Sequence, residues 1–173
     1  MKRLQNDATA KTDLKYLAIK YLEVGTSHPL WKMKSKTRIA VRKSIIKARI
    51  ITGTLVLQKD RHSFNKFDIS SICPMCKLED EDIIHFLLKC PLFAGSRQEP
   101  FRRLKTEVIN DSEDGTWLRI FNNEERIATL IIDCRNYSET FMESASVMDR
   151  IEELSIELCY SLYVRRLQCT PET

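Results

Sequence analysis

Glycine and proline are scarce, four and five in 173 residues, too few for a chain built on tight turns. The long stretches between them, rich in Lys, Glu, Leu and Ile, favour helix instead. No apolar run approaches the roughly 18 to 20 residues that a membrane span requires, and the start, Met1 to Asp7, lacks the apolar core of a secretory signal. A soluble, intracellular chain with no membrane partner is therefore expected. The chain also lacks a Gly-rich phosphate loop, a G-x-S-x-G turn and an H-E-x-x-H helix. Its acids fall along helix faces or in solvated runs, and none pairs into a metal-binding site for phosphoryl transfer. The expectation is a protein that is not an enzyme.

What is present is ample material for one ordinary core or two small ones, with 43% hydrophobic and 30% charged residues. The charge is unevenly spread. Residues 1 to 67 hold 16 Lys and Arg against four acids, a net of +12, while residues 68 to 173 net −8, so the overall +4 is a remainder. Such a division fits a basic module that meets a polyanion, and it fits equally two parts that neutralise each other across an internal interface.

The apolar pattern is helical throughout. Thr12 or Asp13 can cap a first helix through Leu14, Leu17, Ala18 and Leu22, closed by Gly25 and the Ser27-His28-Pro29 turn. A second helix is expected from Ser35 to Thr52, with Gly53 as its stop. At about 100° per residue, Ile39, Ile46 and Ile50 form one stripe and Val41, Ile45 and Ala48 another, roughly opposite. Two basic ridges lie between the stripes, Arg38, Arg42 and Arg49 on one side and Lys36, Lys43 and Lys47 on the other. A helix apolar on two sides should be sandwiched between neighbours, with its cations at the edges, where a phosphate backbone could meet them. Residues 60 to 79 read as an irregular link. Glu79 to Asp82 then place four acids ahead of a helix through Ile84, Leu87 and Leu88, which Pro91 ends. Further helices are expected through Phe101, Leu104, Val108 and Ile109, through Ile127, Leu130 and Ile131, and finally from Ser138 to Gln168.

The sharpest pattern is Cys73-Pro74-Met75-Cys76, then His85, then Cys90, a C-x2-C-x8-H-x4-C spacing. Two cysteines separated by two residues make a knuckle that offers both sulfurs to one ion, and His85 and Cys90 on the following helix complete a Cys3His set. That set favours one tetrahedral Zn2+ with no open position, a structural rather than catalytic site. Three thiolates around a dication leave −1, and the adjacent acids add to it, so the knuckle itself is a poor phosphate surface. Its task is to fix the helix after it and the basic segment before it. Cys134 and Cys159 read as buried thiols, Cys169 as an exposed bystander, and His28 and His62 as surface histidines.

Residues 28 to 97 resemble the zinc-binding segment that follows the polymerase domain in non-LTR (LINE-type) retrotransposon reverse transcriptases. The likeness rests on Arg49-Ile50-Ile51-Thr52-Gly53 followed by Leu55 and Arg61, on the Cys73-Pro74-Met75-Cys76 knuckle, and on Glu81-Asp82-Ile83-Ile84-His85-Phe86-Leu87-Leu88-Lys89-Cys90-Pro91. The resemblance implies zinc ligation by Cys73, Cys76, His85 and Cys90 and a nucleic-acid setting. It does not imply polymerization: the chain has no aromatic-Ala-Asp-Asp palm turn, and no Pro-Asp and Asp/Lys nuclease signature between Phe93 and Thr173. A detached C-terminal piece of such an element, or a host protein descended from one, is the origin this implies.

The sequence thus leads to an all-α protein in three stretches: a basic helical segment (1–67), a zinc knuckle (68–97) and an acidic helical segment (98–173) that packs with the first. RNA or DNA, met through phosphate contacts by Lys36, Arg38, Arg42, Lys43, Lys47 and Arg49, is the expected partner. The alternatives are a zinc-ordered scaffold for a protein partner, a polymerase domain among them, and a nonfunctional mobile-element remnant.

Overall fold

The computed structural model describes residues 16–19, 28–31, 37–65, 68–112, 115–141 and 145–169. These residues are all-helical, with no strand longer than an isolated bridge. The first expected helix, from Thr12 to Leu22, lies largely outside them. None of the described helices is long and apolar enough to cross a membrane.

Helix α1, Arg38–Ile51, starts where Thr37 Oγ1 accepts the Ala40 amide at 3.2 Å. It stops where Gly53 takes φ +65°, a left-handed conformation that costs glycine little. The link after it is not irregular throughout. Residues Gln58–Phe64 form a two-turn helix α2 because the Asp60 carboxylate turns back to accept the Leu57 amide at 2.8 Å. This short helix buries no side chain, so apolar periodicity could not reveal it.

Beyond the cysteine loop, α3 runs Ala94–Asp111 and passes through Pro100. Proline lacks the N–H that would bond to the carbonyl four residues back. That carbonyl, on Ser96, accepts the Ser161 hydroxyl at 3.1 Å, so a neighbouring helix satisfies what the proline leaves open. Short α4, Thr116–Phe121, and α5, Glu124–Ile132, follow, the latter capped by the Asn123 side chain on the Arg126 amide. The last helix, α6, spans Ala145–Cys169. It begins later than Ser138, because residues 134–141 wind as a 3-10 stretch broken at Tyr137.

Helix α6 is the spine: α3 lies along one side of it and α1 along another. Ile151, Leu158, Cys159 and Leu162 of α6 meet Leu104 and Val108 of α3, Ile131 and Ile132 of α5, and Ile46, Ile50 and Ile51 of α1 in one buried cluster. Phe86 and Phe93, fully buried and edge-to-face at 5.8 Å, carry that cluster up to the cysteine loop.

Helix α1 departs from the sandwich expected of it. Only one face is buried, and Lys47 sits in the middle of that face with Ser44, Ile46, Ile50 and Ile51 around it. Val41 and Ile45 of the second stripe are exposed, as is Ile39 at the start of the first, and only Ala48 of the second stripe packs against the core.

Candidate metal centre and basic surface

The cysteine loop folds on its own backbone. Ile72 and Asp80 form an antiparallel bridge, the Cys73 amide donates to the Glu79 carbonyl at 2.7 Å, and the Lys77 amide donates to the Cys73 carbonyl at 2.9 Å. Lys77 completes the turn at φ +58°. Cys73 and Cys76 are thereby turned toward the same point.

The other two candidate ligands come from the segment behind the acidic run. Asp82 caps it, its carboxylate accepting the His85 amide at 2.9 Å. In an α-helix, residues five apart diverge by roughly 140°, which would aim His85 and Cys90 in different directions. The chain instead forms a π turn over His85–Lys89, in which the Cys90 amide donates to the His85 carbonyl at 2.8 Å. That wider turn brings residue i+5 back over residue i. Pro91, unable to donate an amide, opens a 3-10 turn at once, so the wide turn ends on the ligand.

All four ligand atoms lie within 4.8 Å of one another. Cys76 Sγ is 3.3 Å from His85 Nε2, against roughly 3.5 Å for the S···N edge of a zinc tetrahedron with bonds of about 2.3 and 2.0 Å. Cys73, His85 and Cys90 are buried and Cys76 is half-buried. On the far side of the ring, His85 Nδ1 faces Glu79 Oε2 at 3.4 Å, the carboxylate–histidine arrangement that presents Nε2 to a metal. Three sulfurs and one imidazole nitrogen at this spacing fit a tetrahedral dication and leave no position for a substrate.

The thiols resist sharing the space as anions. Burial, and then the charges of Cys73 and Cys76, push Cys90 up to about 12, and burial also raises Cys73. Cys76 goes the other way: burial opposes its ionisation, but the Leu78 and Glu79 amides and the neighbouring thiols outweigh it. A dication supplies the charge that lets all three ionise together.

Glu81 ties this loop to the rest of the molecule. Its carboxylate is fully buried, receives Arg166 of α6 through two bonds of 2.7 and 2.8 Å, and accepts the Gln58 amide at the start of α2 at 2.8 Å. An acid run that looked like a solvated helix start therefore contains the main anchor of the loop. Nothing local in the sequence distinguishes Glu81 from its neighbours, since its partner lies 85 residues away.

The six candidate phosphate contacts do not stay together. Lys36 lies outside the described residues. Arg38 and Arg42 are exposed and Arg49 half-exposed, and no hydrogen bond or ion pair links their guanidinium groups to other described residues. Lys43 is turned toward α6, 3.9 Å from Glu157 and above the Tyr160 ring. Lys47 is a correction: it is fully buried and has no route to a phosphate. Its ammonium donates to the Ile131 carbonyl and to Ser155 Oγ at 2.6 Å, with Glu152 at 3.6 Å. Burial opposes its charge, but Glu152, with Cys159, Cys134 and Asp133, more than offsets this and raises its pKa.

The histidines and remaining cysteines sort by environment. His28 is not a surface residue: Nδ1 accepts the Leu30 amide at 3.0 Å and Nε2 approaches Asp133, which also holds Arg135 and the Ala18 amide. Cys134 and Cys159 are buried thiols as expected, with pKa values raised by burial, Cys159 to about 11. Cys169 is half-buried.

No family model, no curated protein and no solved structure matches the chain. What the geometry establishes is a small all-helical domain carrying a Cys3His cluster able to coordinate a metal ion.

Proposed function

We propose that this chain is a non-catalytic, zinc-stabilised module that binds nucleic acid through the arginine ridge of α1, similar in role to the zinc-binding region of retrotransposon reverse transcriptases. The convergence of Cys73, Cys76, His85 and Cys90 supports the zinc reading, because three sulfurs and one nitrogen suit Zn2+ over harder cations. Arg38, Arg42 and Arg49 support the nucleic-acid reading. They share one side of α1 over about 16 Å of helix and their guanidinium groups are unengaged among the described residues. Contacts of this kind go to phosphates, and they bring affinity without sequence preference.

An anisotropy titration with a labelled oligonucleotide at two salt concentrations tests this. Three phosphate contacts predict a slope of log K against log salt of roughly −2 to −3. No binding at low salt, or binding indifferent to salt, would sink the proposal. Exposed Ile39, Val41 and Ile45 favour a second reading, a protein partner with an acidic, apolar surface. Under that reading the Arg38→Glu, Arg42→Glu, Arg49→Glu variant loses a protein partner and has no nucleic-acid affinity to lose.

A further inference from the structure

One cation beside the Cys3His cluster has no anion of its own. Arg97 stands in the first turns of α3, and its Nη2 donates to the Cys90 carbonyl at 2.8 Å. Its Nε is buried and has no hydrogen-bond partner, and no carboxylate pairs with it among the described residues. The contrast with Arg166 is direct. Arg166 also approaches the cluster, but the Glu81 carboxylate accepts from its Nε and Nη2 and offsets its charge. Arg97 is half-buried, and taking part of an unpaired guanidinium out of water is costly unless something nearby supplies the negative charge.

The loaded cluster supplies it: three thiolates, one neutral imidazole and one dication sum to −1, next to the backbone carbonyl that holds Arg97. We propose that Arg97 is a positioning residue of the metal centre: its guanidinium, held against Cys90 by the backbone carbonyl, is the counter-charge of the loaded Cys3His site and strengthens metal binding there. The proposal rests on the zinc reading above. Arg97 is not a ligand and touches no substrate. It acts on the Cys90 thiolate through its charge, which it offsets, so that the loaded site is held more tightly and its sulfur is less open to electrophiles. Outer-shell partners of this type are worth about 10- to 100-fold in metal affinity.

The test compares wild type, Arg97→Lys and Arg97→Gln, each loaded with Zn2+ or with Co2+ as a spectroscopic stand-in. Two quantities are read: the rate of metal transfer to a chelator from the loaded protein, and the rate of thiol alkylation by iodoacetamide. The wild type should hold one ion per chain with the absorption of a tetrahedral thiolate site. Arg97→Gln should release metal and alkylate at least tenfold faster, while Arg97→Lys, which keeps the charge and loses the fork, should stay within about threefold. Equal rates in all three, or a lysine variant as impaired as the glutamine one, overturn the proposal in favour of a packing role. Should Arg97→Gln fail to fold, a folded Arg97→Lys supports the need for charge and an unfolded one contradicts it. A wild type that takes up neither ion fails the zinc reading itself, a result distinct from any difference among the variants.

Discussion

Helix α1 carries two basic ridges, and the protein uses them in opposite ways. Arg38, Arg42 and Arg49 face solvent, while Lys43 and Lys47 turn toward α6, where Glu157 and Glu152 meet them. One ridge is thus neutralised inside the fold, and the other, exposed at Arg38 and Arg42 and half-exposed at Arg49, is the one proposed to meet an outside partner. Net charge along a sequence says how much cation there is; the buried arc of the helix decides which of it can be spent on a ligand.

The largest effect should come from breaking the inward ridge. Lys47→Met leaves Glu152 buried without its cation, and a loss of about 3 to 5 kcal/mol is expected in chemical denaturation. Adding Glu152→Leu should recover most of it, since an apolar replacement of both partners is often neutral. A single Lys47→Met as stable as wild type would mean that the ridge is not truly internal.

A smaller effect is expected at Asp133, another buried acid that faces basic-half residues. Burial alone would raise its pKa, but the polar hydrogens turned toward it from His28, Arg135 and the Ala18 amide hold it well below the usual carboxylate range. A depressed native pKa means stability that is fully present above the unfolded value of about 3.9 and is lost as pH falls below it. Asp133→Asn should thus cost about 2 kcal/mol at neutral pH, and the gap to wild type should close in acid. A gap that stays constant down to pH 2 would contradict the assignment.

The outward ridge should barely register in stability. Arg42→Glu is expected within about 0.5 kcal/mol of wild type, yet it should weaken oligonucleotide binding and make the salt slope shallower by about 1 to 2. Loss of stability in this variant, with binding unchanged, would reverse the roles assigned to the two ridges.

The sequence made the all-α class, the Gly53 stop of α1 and the four candidate metal ligands legible, because each depends on local spacing or on a cap, while the start of α1 falls at the Thr37 cap rather than at Ser35. What it hid depends on distance. Glu81 and Arg166 are 85 residues apart, and Arg97 gains meaning only from a cluster assembled by three separate turns. The π turn is a similar case: no residue from His85 to Lys89 announces an i→i+5 bond, although the need to aim His85 and Cys90 at one ion demands it. Lys47 and Ser155 could have been found. Ser155 occupies the step between Ile151 and Leu158 on the apolar stripe of α6, and a polar residue in that phase signals a buried partner.

Metal content read together with chelation tests the central claim, that a Cys3His metal centre organises this fold, more directly than any variant. Purified protein should contain one zinc per chain, and removing it should expose the amides of residues 72–93 to hydrogen exchange while releasing Arg166 from Glu81. Protein without stoichiometric metal, whose exchange and helicity a chelator leaves unchanged, would contradict it.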